Sequence, residues 1–356
     1  MRYLKILIAV VLLASCEEYF QPNVDVSETA YVFDGMITDQ PGPYRVRITR
    51  STGYNNNSIE DVVTDAKVII ECNDGKTYKM TIDNDGNYLS DSSMFVGEPG
   101  KTYRLYATNV DGKTFTSSWE MLLPCPEIEQ VSGLYYETKK IVKNGTNYYD
   151  EIDMGICATN TTDAAGFTPY YRYECKVVLQ TRQHYPGSVP IERYVYRPLD
   201  LKDNLFLADA GNYGNNKIVA NQLYKTTDAA MKGGIGGLVL GMEEFEVYDR
   251  GEFIRVTQYS LTEKQYKFWK AVKDQQENTK YFFGKLENQP IGNMTCDSGD
   301  KAFGYFCASA VKQNICALSL KEKQKVVVRY DIDYFPDTDT VAVYEQTQDF
   351  TIPFEN

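Results

Sequence analysis

Histidine is almost missing from this chain: of its 356 residues only His184 is one. That removes every metal motif built on two histidines, and it leaves a serine or cysteine nucleophile with a single candidate base. His184 sits in Gln183-His184-Tyr185-Pro186-Gly187, which has the turn chemistry of a solvated loop. Positive charge is scarce as well. There are 37 Lys and Arg against 49 Asp and Glu, a net charge of −12, and a chain this poor in cations lacks the means to neutralise nucleic-acid phosphates. Beyond the N-terminus there is no long apolar run. The best stretch, Ile235 to Met242, is short and glycine-rich, well below the roughly 18 apolar residues of a membrane-spanning helix. Gly233-Gly-Ile-Gly-Gly237 is not followed by the lysine and hydroxyl of a phosphate-binding loop, and reads as a flexible loop or sheet turn. No cofactor, no metal and no catalytic constellation is therefore expected, and the chain does not read as an enzyme. Only carboxylate-based hydrolysis keeps material to work with, because paired acids are recognised by their separation in space.

What is present begins at the N-terminus. Arg2 and Lys5, the apolar run Ile6 to Leu13 and the small residues before Cys16 form a secretory signal over residues 1–15. Leu13-Ala14-Ser15-Cys16 resembles a bacterial lipobox, in which Cys16 takes the lipid and becomes the mature N-terminus. At roughly 0.8 kcal/mol per buried acyl CH₂, several chains hold a soluble domain firmly to a membrane. Loss of Arg2 and Lys5 with the leader takes the net charge from −12 to −14. Residues 16–27, with Glu17-Glu18 and Gln21-Pro22, read as a tether. Seven further cysteines enter a compartment that permits disulfides, so at least one stays unpaired. Cys72, on the apolar phase of Ala66-Val68-Ile70-Cys72, reads as a plain buried thiol. Connectivity among Cys125, Cys157, Cys175, Cys296, Cys307 and Cys316 is open.

From residue 28 to 127 the pattern has a period of two. Tyr44, Val46 and Ile48 alternate with Arg45 and Arg47; Tyr78, Met80 and Ile82 with Lys79 and Thr81; Tyr103, Leu105 and Ala107 with Arg104 and Tyr106. One face is apolar and one wet, as in antiparallel sheets. Asn73-Asp74-Gly75, Asn84-Asp85-Gly86 and Val110-Asp111-Gly112 are hairpin turns. Asp83-Asn84-Asp85-Gly86 lacks the spaced ligands and closing glutamate of a calcium loop and reads as a turn. These short strands predict a two-sheet sandwich, immunoglobulin-like or transthyretin-like. Pro124-Cys125-Pro126 ends the last strand, because neither proline can donate to a ladder, and the domain boundary is placed there.

Residues 128–356 predict a larger β-rich domain, with strand candidates over 151–158, 170–180, 192–196, 244–248, 253–259, 325–334 and 340–346. One segment departs from this rhythm. Ser260-Leu-Thr-Glu263 has the spacing of a capping box and predicts one amphipathic helix near 261–276. Its stripe of Tyr266, Trp269 and Val272, with Phe268 nearby, reads as core packing, while Lys264, Lys267 and Lys270 face water. The 29 tyrosines suit strands, and they also suit binding surfaces, where an apolar body and a polar tip are both used. Tyr185, Tyr213 and Tyr224 lie in the long loops of this half and are the candidate binding residues.

Several stretches together carry a resemblance: Tyr31-Val-Phe-Asp-Gly-Met-Ile-Thr-Asp-Gln-Pro-Gly-Pro-Tyr-Arg-Val-Arg-Ile-Thr-Arg50, Gly100-Lys-Thr-Tyr-Arg-Leu105, Asp111-Gly-Lys-Thr-Phe115, Tyr170-Tyr-Arg-Tyr173, Ser260-Leu-Thr-Glu-Lys-Gln-Tyr266, Gly292-Asn-Met294 and Phe303-Gly-Tyr-Phe306. In type and order they resemble a Bacteroidota lipoprotein family known only as domain of unknown function 4249. The resemblance implies an envelope lipoprotein commonly encoded near a TonB-dependent outer-membrane transporter, with no catalytic residues to carry over. Glu17-Glu18 after the lipidated cysteine is similar to the signal that sends such lipoproteins to the outer face of the outer membrane. The expectation is a non-catalytic surface lipoprotein accessory to such a transporter in nutrient capture or uptake. An adhesive or structural envelope protein is the alternative, followed by a carboxylate-based surface hydrolase.

Overall fold

The computed structural model describes residues 30–51, 60–92, 95–128, 130–143, 147–161, 168, 170–185, 191–198, 205–209, 217–220, 246–279, 290–321, 326–331, 335–340 and 342–345. The protein is mainly β, with several sheets and, among the described residues, one helix.

The first two sheets carry the alternation expected of them. In strand Tyr31–Thr38 the odd positions Tyr31, Phe33 and Ile37 are buried, and in Arg45–Arg50 so are Val46 and Ile48. In Thr102–Thr108 the buried set is Tyr103, Leu105 and Ala107, and in Lys67–Cys72 it is Val68, Ile70 and Cys72. These faces meet in one core, with Phe115 against the rings of Tyr31 and Phe33 at centroid distances of 4.6 and 5.2 Å. The run Tyr78 to Ile82 behaves differently from its pattern. Thr77–Lys79 pairs with Lys67–Cys72 in one sheet, while Thr81–Ile82 pairs with Asn87–Leu89 in the other. The chain changes sheets at Met80, which is buried, and Ile82 ends 42% exposed. Asp83 spends its carboxylate inside the next turn, accepting from the backbone amides of Asp85 and Asn87 at 2.9 and 2.8 Å and from Asn87 Nδ2 at 3.1 Å. Those bonds, that from the Asn87 amide foremost, hold its carboxyl below the usual range. It is a turn residue.

The sandwich is not completed by residues 28–127. Strand Ala302–Ser309 runs parallel to Tyr31–Thr38 at the edge of the first sheet, and Met294–Cys296 pairs with Thr114–Ser117 at the edge of the second. The boundary at residue 127 therefore separates the chain in order but not in packing. Pro124-Cys125-Pro126 is likewise a buried strap: Gln258 Nε2 donates to the Pro126 carbonyl at 2.8 Å, and Ser260 Oγ donates to the Leu123 carbonyl at 2.6 Å. Burial pushes the Cys125 thiol up to about 12.

The later residues form a three-stranded sheet of Gln130–Lys143, Asn147–Thr161 and Lys217–Ala220, and a seven-stranded sheet. The latter has the order Val326–Asp331, Val311–Lys321, Glu246–Leu261, Tyr170–Tyr185, Ile191–Pro198, Ala342–Glu345, with Phe206–Asp209 also on Tyr170–Tyr185. Its long strands merge candidates that the sequence separates, the 244–248 and 253–259 runs being one strand. Successive residues point to opposite faces. Tyr171, Tyr173, Cys175 and Val177 accordingly join the sandwich core, while Val178, Tyr196 and Phe253 join a second cluster with Phe335. Cys72, Cys125, Cys296 and Cys307 are free thiols, and Cys72 is buried as expected.

The helix spans Glu263–Thr279. Its cap lies two residues later than the Ser260 spacing suggests. Thr262 Oγ1 accepts from the Gln265 amide at 3.3 Å, and Gln265 Oε1 accepts from the Thr262 amide at 2.9 Å. Ser260 is still in its strand, fully buried, with its amide on the Ala310 carbonyl, so it is not free to cap. Glu263 instead pairs with Lys267 at 2.6 Å across one helical turn.

Candidate functional site

The strand, strap and helix packing leaves a cleft of about 660 Å³ beside the outer face of Tyr31–Thr38. Five separated stretches supply its walls. Asp34, Met36, Pro41, Pro43 and Arg45 come from the first hairpin, Arg45 opening its second strand; Arg172 and Glu174 from Tyr170–Tyr185; Tyr259 from Glu246–Leu261; and Phe268, Trp269 and Val272 from the helix. Gly304, Tyr305 and Cys307 complete it from the parallel edge strand.

Arg172 is its centre. The residue is only 6% exposed. Its guanidinium lies over the rings of Tyr259 and Trp269, at 4.4 and 4.5 Å from their centroids, and pairs with Glu174 at 2.9 Å. Tyr259 donates its hydroxyl to the other oxygen of Glu174 at 2.9 Å. Burial, followed by the Glu174 charge, pushes the Tyr259 phenol above its ordinary range, so it stays a donor. The two ring contacts and the Glu174 bond together hold the guanidinium in place. At the mouth Arg45 pairs with Asp34. The cleft thus holds two guanidiniums and two carboxylates, already matched.

The floor depends on close backbone approach. Gly304 has φ +87°, and a Cβ there would lie 1.9 Å from the Phe33 carbonyl oxygen; a Cβ on Gly292 would lie 2.1 Å from the Gly304 carbonyl oxygen. Neighbouring Asn293 locks the two segments, accepting from the Phe306 amide at 2.9 Å and donating to its carbonyl at 2.9 Å. Behind this wall Glu120 is buried and accepts from Ser118 Oγ, Asn293 Nδ2, Tyr305 OH and Gln265 Nε2 at 2.7 to 3.1 Å. The network ties the second sheet, the helix start and the edge strand together. Phe268 and Tyr305, 4.7 Å apart, form the wall shared with a second hollow of about 870 Å³, lined by Lys264, Lys267, Ala271 and Ile291.

The helix stripe of Phe268, Trp269 and Val272 is half-buried and lines the cleft, so it serves as a wall as well as packing. Tyr185 lies at the end of a strand, not in a loop. At about 3.3 Å per residue it is roughly 40 Å along that strand from Arg172. His184, beside it, is strand-paired opposite Glu192 and Glu246. Tyr213, Tyr224 and Cys16 lie outside the described residues. Among the described residues no group of three or more His, Cys, Asp or Glu is placed to hold a metal ion, and no helix is long and apolar enough to cross a membrane.

Fold and site together define a β-sandwich protein whose sheets are completed by distant strands and whose cleft is preformed by paired charges. A family model described as Domain of unknown function (DUF4249) matches residues 17–315, and the chain belongs to that family. No curated protein and no solved structure matches it. Most of the stretches that carry the family resemblance meet at the cleft: the Tyr31 to Arg50 segment, Tyr170 to Tyr173, Ser260 to Tyr266, Gly292 to Met294 and Phe303 to Phe306 line it or brace its walls.

Proposed function

We propose that this protein is a non-catalytic lipoprotein of the outer membrane, held by lipid on Cys16 with its folded part facing outward. It captures a nutrient in the cleft and works beside a TonB-dependent transporter. The observation that carries the reading is the cleft itself, a concave, aromatic-walled site with a few fixed polar groups, which is how small-ligand sites are built. Both of its carboxylates already face a guanidinium, which supports holding a ligand over proton transfer to one. The leader, the Cys16 lipobox and the resemblance support the location and the partner.

The test is purification of the lipidated, full-length chain from detergent-solubilised outer membranes. A transporter should accompany it, and a Cys16→Ser chain should bring none. Truncation at residue 127 is not a usable test, because it removes Met294–Cys296 and Ala302–Ser309 from both sheets. Recovery of the wild-type chain alone, or with matrix components only, contradicts the proposal.

A further inference from the structure

We infer that the cleft ligand is a short neutral saccharide, an assignment that rests on the capture reading above and specifies its chemistry. Charge comes first. The cleft's cations and anions cancel, Arg172 with Glu174 and Arg45 with Asp34, so there is no net field to select an anion or a cation. Each pair still offers a donor beside an acceptor. Adjacent hydroxyls of a sugar use that arrangement well, one accepting from a guanidinium and the next donating to a carboxylate. Asp34 and Arg45 keep side-chain exposures of 61% and 48%, so they are reachable at the mouth. Deeper in, the Arg172 Nε donor is buried and has no hydrogen-bond partner among the described residues.

The apolar surface is the second observation. It includes Tyr259, Phe268, Trp269 and Tyr305 around the matched charges, with Met36 and Val272 beside them. Flat rings beside planar polar groups suit a molecule with C–H faces and a hydroxylated rim. A peptide is disfavoured by the backbone. Extended peptides add to an unpaired strand edge, but Tyr31–Thr38 is paired on both sides, by Ala302–Ser309 and Arg45–Arg50. Tyr170–Tyr173 is paired on both sides too, by Phe206–Asp209 and the end of Glu246–Leu261. Neither of these strands offers a free edge in the cleft, and Asn293 occupies the outer edge of the sheet-edge strand Ala302–Ser309 at Gly304 and Phe306, its amide donating to the Gly304 carbonyl and its side chain bonding the Phe306 amide and carbonyl.

The chain has two tryptophans, and Trp119→Phe leaves Trp269 as the sole emitter inside the cleft. The full mature chain carrying that change is titrated with neutral maltose-, xylose- and mannose-type oligosaccharides and, separately, with defined tripeptides. At least one saccharide series should give a saturable change in Trp269 emission. Phe268→Ala, which removes a wall ring, and Asp34→Asn, at the exposed mouth, should each weaken it about tenfold. Val110→Ala, 67% exposed and outside the cleft, should leave it unchanged. A response to tripeptides and to no saccharide overturns the saccharide assignment and leaves the capture reading standing. A folded protein that responds to neither overturns the capture cleft itself. A saccharide response unaltered by both cleft variants places the sugar elsewhere and also overturns the assignment.

Discussion

Replacement of Glu120 by glutamine changes one atom in the network that joins the second sheet, the helix and the parallel edge strand. Glu120 is 2% exposed and accepts four hydrogen bonds, three of them at Oε1. A glutamine can keep its oxygen toward Ser118, Asn293 and Tyr305, but its amide N–H₂ then faces Gln265 Nε2, donor against donor. Gln265 cannot turn over to relieve this, because its oxygen accepts the Thr262 amide in the capping box and its nitrogen also donates to the Ala308 carbonyl at 3.3 Å. One buried donor is left without its acceptor, at a cost of about 2 kcal/mol. Glu120→Ala goes further. Asn293 and Gln265 each retain a carbonyl, but the buried Tyr305 hydroxyl has none, and the loss should reach about 3 kcal/mol. Urea unfolding of a soluble form lacking the leader and Cys16 measures both changes, and hydrogen exchange at the Gln265 and Tyr266 amides should quicken with them. A Glu120→Gln protein that unfolds within about 0.5 kcal/mol of wild type, with unchanged exchange at the helix start, would refute the reasoning.

Four further outcomes follow from the same geometry. Gly304→Ala places a methyl against the Phe33 backbone at a positive φ, and should cost about 3 kcal/mol or more in the same unfolding assay. At pH 8 a maleimide should label the partly exposed Cys296 and spare Cys125 and Cys307, whose thiols burial pushes up to about 12, since the thiolate is the reacting form; equal labelling of all three in the folded protein contradicts the packing. Asp337 is held below the usual carboxylate range, by its bond to Lys176 first and by Arg255 at 3.0 Å next. Its contribution is therefore present above the unfolded value near 4 and lost as pH falls through the folded one, so Asp337→Asn should destabilise at pH 7 by less than about 1 kcal/mol and by progressively less as pH falls below about 4. Cys16→Ser should abolish incorporation of labelled fatty acid and release the protein from the membrane fraction; membrane retention without label would contradict lipid anchoring.

Much of the sandwich is legible in the sequence, because period two over Tyr44 to Ile48 and Tyr103 to Ala107 is a direct print of a half-buried sheet. Tyrosine's double character also shows: Tyr44, Tyr88 and Tyr103 bury their rings and use their hydroxyls on the backbone of Gly97, Val63 and Glu98. Strand Ala302–Ser309 is not legible. Tyr305 to Ser309 are buried consecutively, so it lacks the alternation, and its partner lies more than 260 residues away in a parallel pairing that no turn announces. The capping register fails for a related reason. Ser260 and Thr262 both suit a cap, and only the long-range bonds of Ser260 to Leu123 and Ala310 decide between them. The cleft has no local motif at all. Arg172, Glu174, Tyr259 and Trp269 are ordinary strand and helix residues until the sheets bring them together, whereas Tyr185 attracts attention by composition and lies far along its strand from them.

The capture cleft is tested most directly by hydrogen–deuterium exchange on the purified protein, with and without the soluble nutrient pool on which the source cells grow. The account predicts slowed exchange in residues 33–45, 170–174 and 265–272, the segments that wall the cleft, with the rest of the described chain unchanged. Slowed exchange confined to other segments, or no change from a pool that supports growth through this protein, would contradict it.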